Sequence, residues 1–138
     1  MKHRYAQCDF FACIEREREG APLRSAEALR KSMRLQMPEF SRILGIKLAT
    51  YKRKVAQGTT LTGSHGYAVS DIERILDQAR ALLPDSNQDF DVAKWFSEWI
   101  RQPQPSLGGM KPEQLLDTPT GRSMVARIVG VIGSGAYI

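Results

Sequence analysis

Phe40-Ser41-Arg42-Ile43-Leu44-Gly45-Ile46-Lys47-Leu48-Ala49-Thr50-Tyr51-Lys52-Arg53-Lys54-Val55 has the spacing of two short helices hinged at a glycine. Pro38 suits the first turn of the first helix, where its missing N–H costs nothing. Phe40, Ile43 and Leu44 form that helix's buried side, Gly45 ends it, and Ile46 follows as a buried turn residue. The second helix is predicted over Leu48 to Gln57, with Tyr51 and Val55 inward and Gly58 as its stop. This is helix-turn-helix geometry, in which the second helix enters the major groove with its early residues at base edges. Thr50, Arg53 and Gln57 make directed contacts and are the candidate base readers. Lys47, Lys52 and Lys54 are the candidate phosphate contacts, with Arg42 alongside them. Lys54 takes a position that is often apolar, where its stem can cover the core with the ammonium outside. The plainer alternative is a solvated Lys-Arg-Lys face on an amphipathic helix.

Upstream, residues 5–19 read as a helix with Phe10, Phe11 and Ile14 on one side. Glu15-Arg16-Glu17-Arg18-Glu19 is its solvated end, broken by Gly20 and Pro22. A second helix is predicted from Leu23 to Leu35, with Ala26, Leu29 and Met33 at helical spacing. The net charge of +5 is unevenly placed. Residues 1–60 have a balance of +7 and residues 61–138 a balance of −2. The basic half suits phosphate backbones, because each neutralised phosphate releases condensed counterions.

Downstream, Thr59 to Val69 reads as a loop punctuated by Gly63, Ser64 and Gly66, with Tyr67-Ala68-Val69 as a short extended piece. Ser70-Asp71-Ile72-Glu73 has the form of a capping box. It would open a helix with Ile72, Ile75, Leu76, Ala79, Leu82 and Leu83 on one face and Pro84 at its end. Asp89 is the expected cap of the next helix, whose inner face is Val92, Ala93, Phe96, Trp99 and Ile100. Pro103 and Pro105 end that helix, Leu107-Gly108-Gly109 turns, and Pro112 opens a short helix ending near Leu116. Thr118 caps the last helix, with Pro119 in its first turn. No segment is convincingly β. The chain is therefore all-α: an N-terminal helix-turn-helix bundle followed by a small helical domain for partner binding or dimerisation. Its expected parts are an arm over 1–20, the helix-turn-helix domain over 21–84 and the C-terminal domain over 85–138, with the boundary near Pro84 to Gln88.

The last 55 or so residues hold more apolar side chains than one small isolated core can bury. Phe96, Leu115 and Ile128 are assigned to that core. Trp95, Trp99, Leu107, Gly108, Gly109, Met110, Arg127, Tyr137 and Ile138 are the candidate contacts, since aromatic side chains and arginine dominate interface hot spots. Gly133-Ser134-Gly135 is no phosphate cradle, because no helix follows it. Sequence leaves open which of these residues serve self-association.

Enzymatic readings find little support. No carboxylate pair or metal set is apparent, and the adjacent Ser64 and His65 cannot form a useful nucleophile–base pair. Cys8 and Cys13 read as ordinary thiols, and His3 and His65 stand alone. No apolar run reaches membrane-span length, and no apolar stretch follows the basic Met1-Lys2-His3-Arg4. A cytoplasmic protein without a signal peptide is expected.

Two sets of residues carry a family resemblance. One is Trp99, Leu107-Gly108-Gly109, Pro112-Glu113-Gln114-Leu115-Leu116-Asp117-Thr118, Gly121, Val125, Ile128 and Gly135-Ala136-Tyr137. The other is Leu44-Gly45-Ile46 with Thr50-Tyr51-Lys52-Arg53. From about Leu23 to Ile138 the chain resembles antitoxins of the Xre/MbcA/ParS family, which pair with toxins carrying the RES domain. The resemblance implies an Xre-like helix-turn-helix and a C-terminal toxin-binding domain. It implies a type II antitoxin that blocks its toxin's active-site cleft and represses its own operon as a homodimer on operator DNA. RES toxins act on NAD⁺; the antitoxin itself would have no enzymatic role, cofactor or membrane association. Tyr67-Ala68-Val69-Ser70-Asp71-Ile72-Glu73 only partly matches the family's usual Leu-Ser-x-x-Glu stretch, and residues 1–20 have no counterpart. The alternative is a stand-alone repressor whose C-terminal domain only dimerises.

Overall fold

The computed structural model describes residues 10–82 and 90–133. It contains α1 (Phe10–Glu19), β1 (Ala21–Pro22), α2 (Leu23–Ser32), α3 (Met37–Leu44), α4 (Leu48–Gln57), β2 (Thr60–Leu61), α5 (Gly63–Leu82), α6 (Val92–Trp99) and α7 (Pro119–Gly133). Two short 3-10 turns, Pro105–Leu107 and Pro112–Gln114, lie between α6 and α7. The fold is all-α apart from one antiparallel ribbon, in which Ala21 pairs with Leu61 and Pro22 with Thr60. α2 stops at Ser32, short of the expected Leu35, although Met33 and Leu35 are still buried.

α5 corrects the sequence reading most. The expected loop over Thr59 to Val69 is largely helix, and Ser70 lies buried inside α5 rather than capping it. The apolar stripe of Ala68, Val69, Ile72, Ile75, Leu76 and Ala79 begins before the apparent capping box, so burial carries the helix back to Gly63. Gly66 is a point of contact and not a break. A Cβ there would sit 2.6 Å from the Leu61 carbonyl oxygen, so only glycine lets β2 lie against the first turns of α5.

α5 packs on α7, α6, α1, α2, α3 and both strands. One continuous hydrophobic core therefore runs from Ala21 and Leu23, through Phe40, Tyr51 and Ile72, to Phe96, Leu116 and Val129. Further ties cross between the two ends of the chain. Arg34 pairs with Asp91 at 3.0 Å and Arg101 with Glu39 at 3.4 Å. Asp91, and not Asp89, caps α6, accepting from the Lys94 N–H at 3.0 Å; Asp89 lies outside the described residues. α6 ends at Trp99, before the prolines expected to stop it, and Ile100 turns inward to the core. The expected boundary at Pro84 to Gln88 also falls outside the described residues. On α1, Phe10 and Phe11 are more than three-quarters exposed, and none of its residues is buried.

Candidate functional site

α3 and α4 are built by the signals the sequence carries. Pro38 stands in the first turn of α3, and the Gln36 N–H donates to the Glu39 side chain at 3.1 Å. Phe40, Ser41, Ile43 and Leu44 are buried, and Ser41 Oγ donates to the Pro38 carbonyl at 3.1 Å. Gly45 closes α3 at φ 76°, after which the Ile46 N–H returns to the Ser41 carbonyl at 2.9 Å. Ile46 is buried, as expected, and α4 has the predicted bounds.

At about 100° per residue, Arg53 and Gln57 lie on the face of α4 away from Tyr51, with Thr50 and Lys54 toward one edge, Lys52 toward the other and Lys47 at the N-cap. Arg53, Gln57, Lys47 and Lys52 are exposed; Thr50 and Lys54 are half-buried, the latter consistent with a stem laid over the core. Arg42 stands apart. It lines a cleft of about 400 Å³ between α3 and the 111–117 segment, together with Glu39, Lys111, Glu113 and Asp117.

α4 is anchored by Tyr51, its one buried residue and fully inaccessible. The phenol donates to Glu27 Oε2 at 2.6 Å, and the ring meets Phe40 edge-on at 5.8 Å. Glu27 also accepts two hydrogen bonds from Arg30, at 2.8 and 2.9 Å, and Arg30 donates to the Leu35 carbonyl at 2.8 Å. The Arg30 bonds hold the Glu27 carboxyl below its ordinary value of 4.5, against desolvation, with the Tyr51 hydroxyl adding to the effect. Burial first, then the Glu27 carboxylate, pushes the Tyr51 phenol well above its usual range.

The sign of the linkage follows. A carboxyl depressed in the folded state stabilises the fold above its unfolded value, and that stabilisation is lost as pH falls through the folded value. Glu27→Gln is expected to be about 2 kcal/mol less stable than the parent at pH 7, with the gap narrowing below about pH 4.5. Urea unfolding at pH 7 and pH 3 checks this.

The second cluster lies on α6, the turns and α7. Trp95 and Trp99 are half-buried and stack at 5.8 Å with 17° between their planes, over the buried Phe96. Leu107 turns inward, so its turn offers Gly108, Gly109 and Met110 to solvent, Met110 being 43% exposed. Arg127 is exposed on the α7 face opposite the core, beside Met124 and Val131. Tyr137 and Ile138 lie outside the described residues. Leu116, not Leu115, is the fully buried member of that pair; Leu115 is half-buried. The segment entering α7 closes so tightly that its second leucine faces the core.

One important side chain had no local signal. Arg122 is 3% exposed; its Nε donates to Asp71 at 2.8 Å and its guanidinium to the Leu116 carbonyl at 3.1 Å. Asp71 also accepts from Arg74 at 2.7 Å, and Arg74 pairs with Glu17. This network joins α1, α5, α7 and the turn before α7. Thr118 caps α7 as expected, its Oγ1 accepting the Gly121 N–H at 3.0 Å. Among the described residues no helix is long and apolar enough to cross a membrane, and no three His, Cys, Asp or Glu side chains form a metal cluster.

Comparison with known proteins finds two family matches along the chain. Residues 14–78 match the antitoxin Xre-like helix-turn-helix domain. Residues 78–135 match the antitoxin Xre/MbcA/ParS C-terminal toxin-binding domain. A protein of Sphingobium sp. strain YBL2, named Prs ADP-ribosylating antitoxin, is 35% identical over 96 residues, covering 68% of this chain. The match spans only 60% of that relative's own length. Antitoxin Xre of Photorhabdus laumondii subsp. laumondii is 27% identical over 117 residues, covering 85% of this chain and 75% of the relative. The fold is similar to a chain in the crystal structure of the M. tuberculosis MbcT–MbcA toxin–antitoxin complex. There the TM-score is 0.60 at 14% identity, with 84% of this chain and 96% of that chain covered. With an Xre-like helix-turn-helix and a toxin-binding domain matched in succession on one polypeptide, the chain belongs to the Xre/MbcA/ParS family of antitoxins.

Proposed function

We propose that this chain neutralises a RES-domain, NAD-consuming toxin and represses its own operon as a DNA-bound homodimer. The observation that carries the reading is the coupling of two surfaces through one core. A basic outer face on α4 sits at one end of the chain, and a unit matching the toxin-binding domain sits at the other. The names of the relatives from Sphingobium and M. tuberculosis point the same way.

On DNA, Thr50, Arg53 and Gln57 would meet base edges while Lys47, Lys52 and Lys54 hold phosphates, with Arg42 at the edge of the footprint. On the toxin, Trp95, Trp99, the Leu107-Gly108-Gly109-Met110 turn, Arg127 and the Tyr137–Ile138 end would exclude substrate from the cleft. The aromatic pair supplies rigid buried area at little cost in conformational freedom. The chain's role in this scheme is occlusion and not chemistry.

Expression of the whole operon with an affinity tag on this chain should co-purify a second, RES-domain chain. In gel-shift titrations on the operon's promoter, Arg53→Ala should weaken binding about 10- to 100-fold, by loss of directed base contacts. Lys52→Ala should reduce the slope of log affinity against log salt by about one. A promoter-binding chain that purifies alone and has no toxic neighbour would instead be a stand-alone repressor.

A further inference from the structure

α4 carries every candidate base reader; Tyr51 is its one fully buried side chain, with Val55 half-buried against the same core. Tyr51 lies about 160° around the helix from Arg53 and enters between α2 and α3. Its ring packs edge-on against Phe40 of α3, and its hydroxyl is bonded to Glu27 of α2. Glu27 is fixed in turn by two bonds from Arg30, and Arg30 by the Leu35 carbonyl in the turn leading to α3. The ring contact and the packing of Val55 are apolar and carry little directional preference. The hydroxyl bond is directional and short, and it terminates on a charged acceptor that two other bonds immobilise.

We propose that the Tyr51 hydroxyl, held by Glu27 and Arg30, sets the roll of α4 and so aims Thr50, Arg53 and Gln57 at base edges. Tyr51 is thus a positioning residue for sequence recognition; the inference rests on the DNA reading proposed above. A rolled α4 still presents its lysines to phosphates, because a point charge tolerates displacement. Directed contacts from Arg53 and Gln57 do not tolerate it. Loss of the hydroxyl therefore acts on discrimination and spares non-specific affinity.

The test compares binding to a duplex bearing the promoter of the chain's own gene with binding to a scrambled duplex of equal length and composition. Tyr51→Phe, which keeps the ring, should lose about tenfold in promoter affinity, with scrambled-duplex affinity and salt slope unchanged. Glu27→Leu should lose a similar factor, and the double variant Tyr51→Phe/Glu27→Leu no more than either alone, since both break one tether. Glu27→Gln, which retains an oxygen for the hydroxyl, should recover part of the discrimination. Val129→Ala, a destabilising change in the α7 core, should leave discrimination intact and so separates positioning from general stability. Full discrimination by Tyr51→Phe, or an equal loss in Val129→Ala, overturns the inference while the DNA reading stands. A parent protein that binds both duplexes alike overturns the DNA reading and the inference with it.

Discussion

Gly121→Ala is expected to destabilise the protein by about 4 kcal/mol or more, lowering its Tm by more than about 10 °C. A Cβ at this position would lie 1.8 Å from the Leu115 carbonyl oxygen and 2.7 Å from its carbon. Both are backbone atoms, so no side-chain rotation relieves the overlap. The bend is held from several directions at once. Leu116 is buried beneath it, the Thr118 hydroxyl accepts the Gly121 N–H, and Arg122 reaches back to the Leu116 carbonyl. One methyl group therefore has to displace the whole entry to α7. Thermal unfolding of the variant beside the parent measures the loss, and an unchanged Tm would contradict the close approach.

The second large effect falls on Arg122. Replacement by methionine keeps most of the volume but leaves the Leu116 carbonyl unpaired and takes one partner from Asp71. Removing one member of a buried pair usually costs 3–5 kcal/mol. Asp71 is partly exposed and retains Arg74, so about 3 kcal/mol is expected here. Arg127→Ala, five residues along the same helix, should change stability by less than about 0.5 kcal/mol. Urea denaturation of the two variants gives the comparison. Equal losses would mean that the Asp71–Arg122–Leu116 network contributes nothing particular.

These two arginines mark how far the sequence is legible. On paper they are alike, each a cation within the apolar pattern of α7. Burial of Arg122 depends on Asp71, 51 positions earlier, and on a bend that brings Leu116 beneath it. Local signals served well where local physics decides the outcome. Gly45, Gly58, Thr118 and Pro119 marked helix ends, and α4 came out with its predicted bounds. They failed where tertiary packing decides. Gly63 and Gly66 carried the signature of a loop, yet the first turns of α5 are fixed by β2 lying against them. Ser70 and Glu73 have capping-box spacing in the interior of a helix, because the apolar stripe extends past them to Ala68. Tyr51 was legible as an inward residue, but its carboxylate partner, 24 positions away on α2, was not.

The outer surfaces were the least legible part. Helical periodicity separates inside from outside and places Arg53, Gln57 and Arg127 outside. It does not distinguish a surface that meets DNA or a protein from one that meets water. The proposed function draws on charge asymmetry and the two family matches for that distinction.

The most direct test is growth. The reading frame beside this gene should arrest growth when induced alone, and co-expression of this chain should restore it. The Arg53→Ala chain should restore growth equally, because the change lies on the proposed DNA face, whereas Arg127→Glu should restore it poorly. A harmless neighbour, or a toxic one that this chain fails to counteract, would contradict the account.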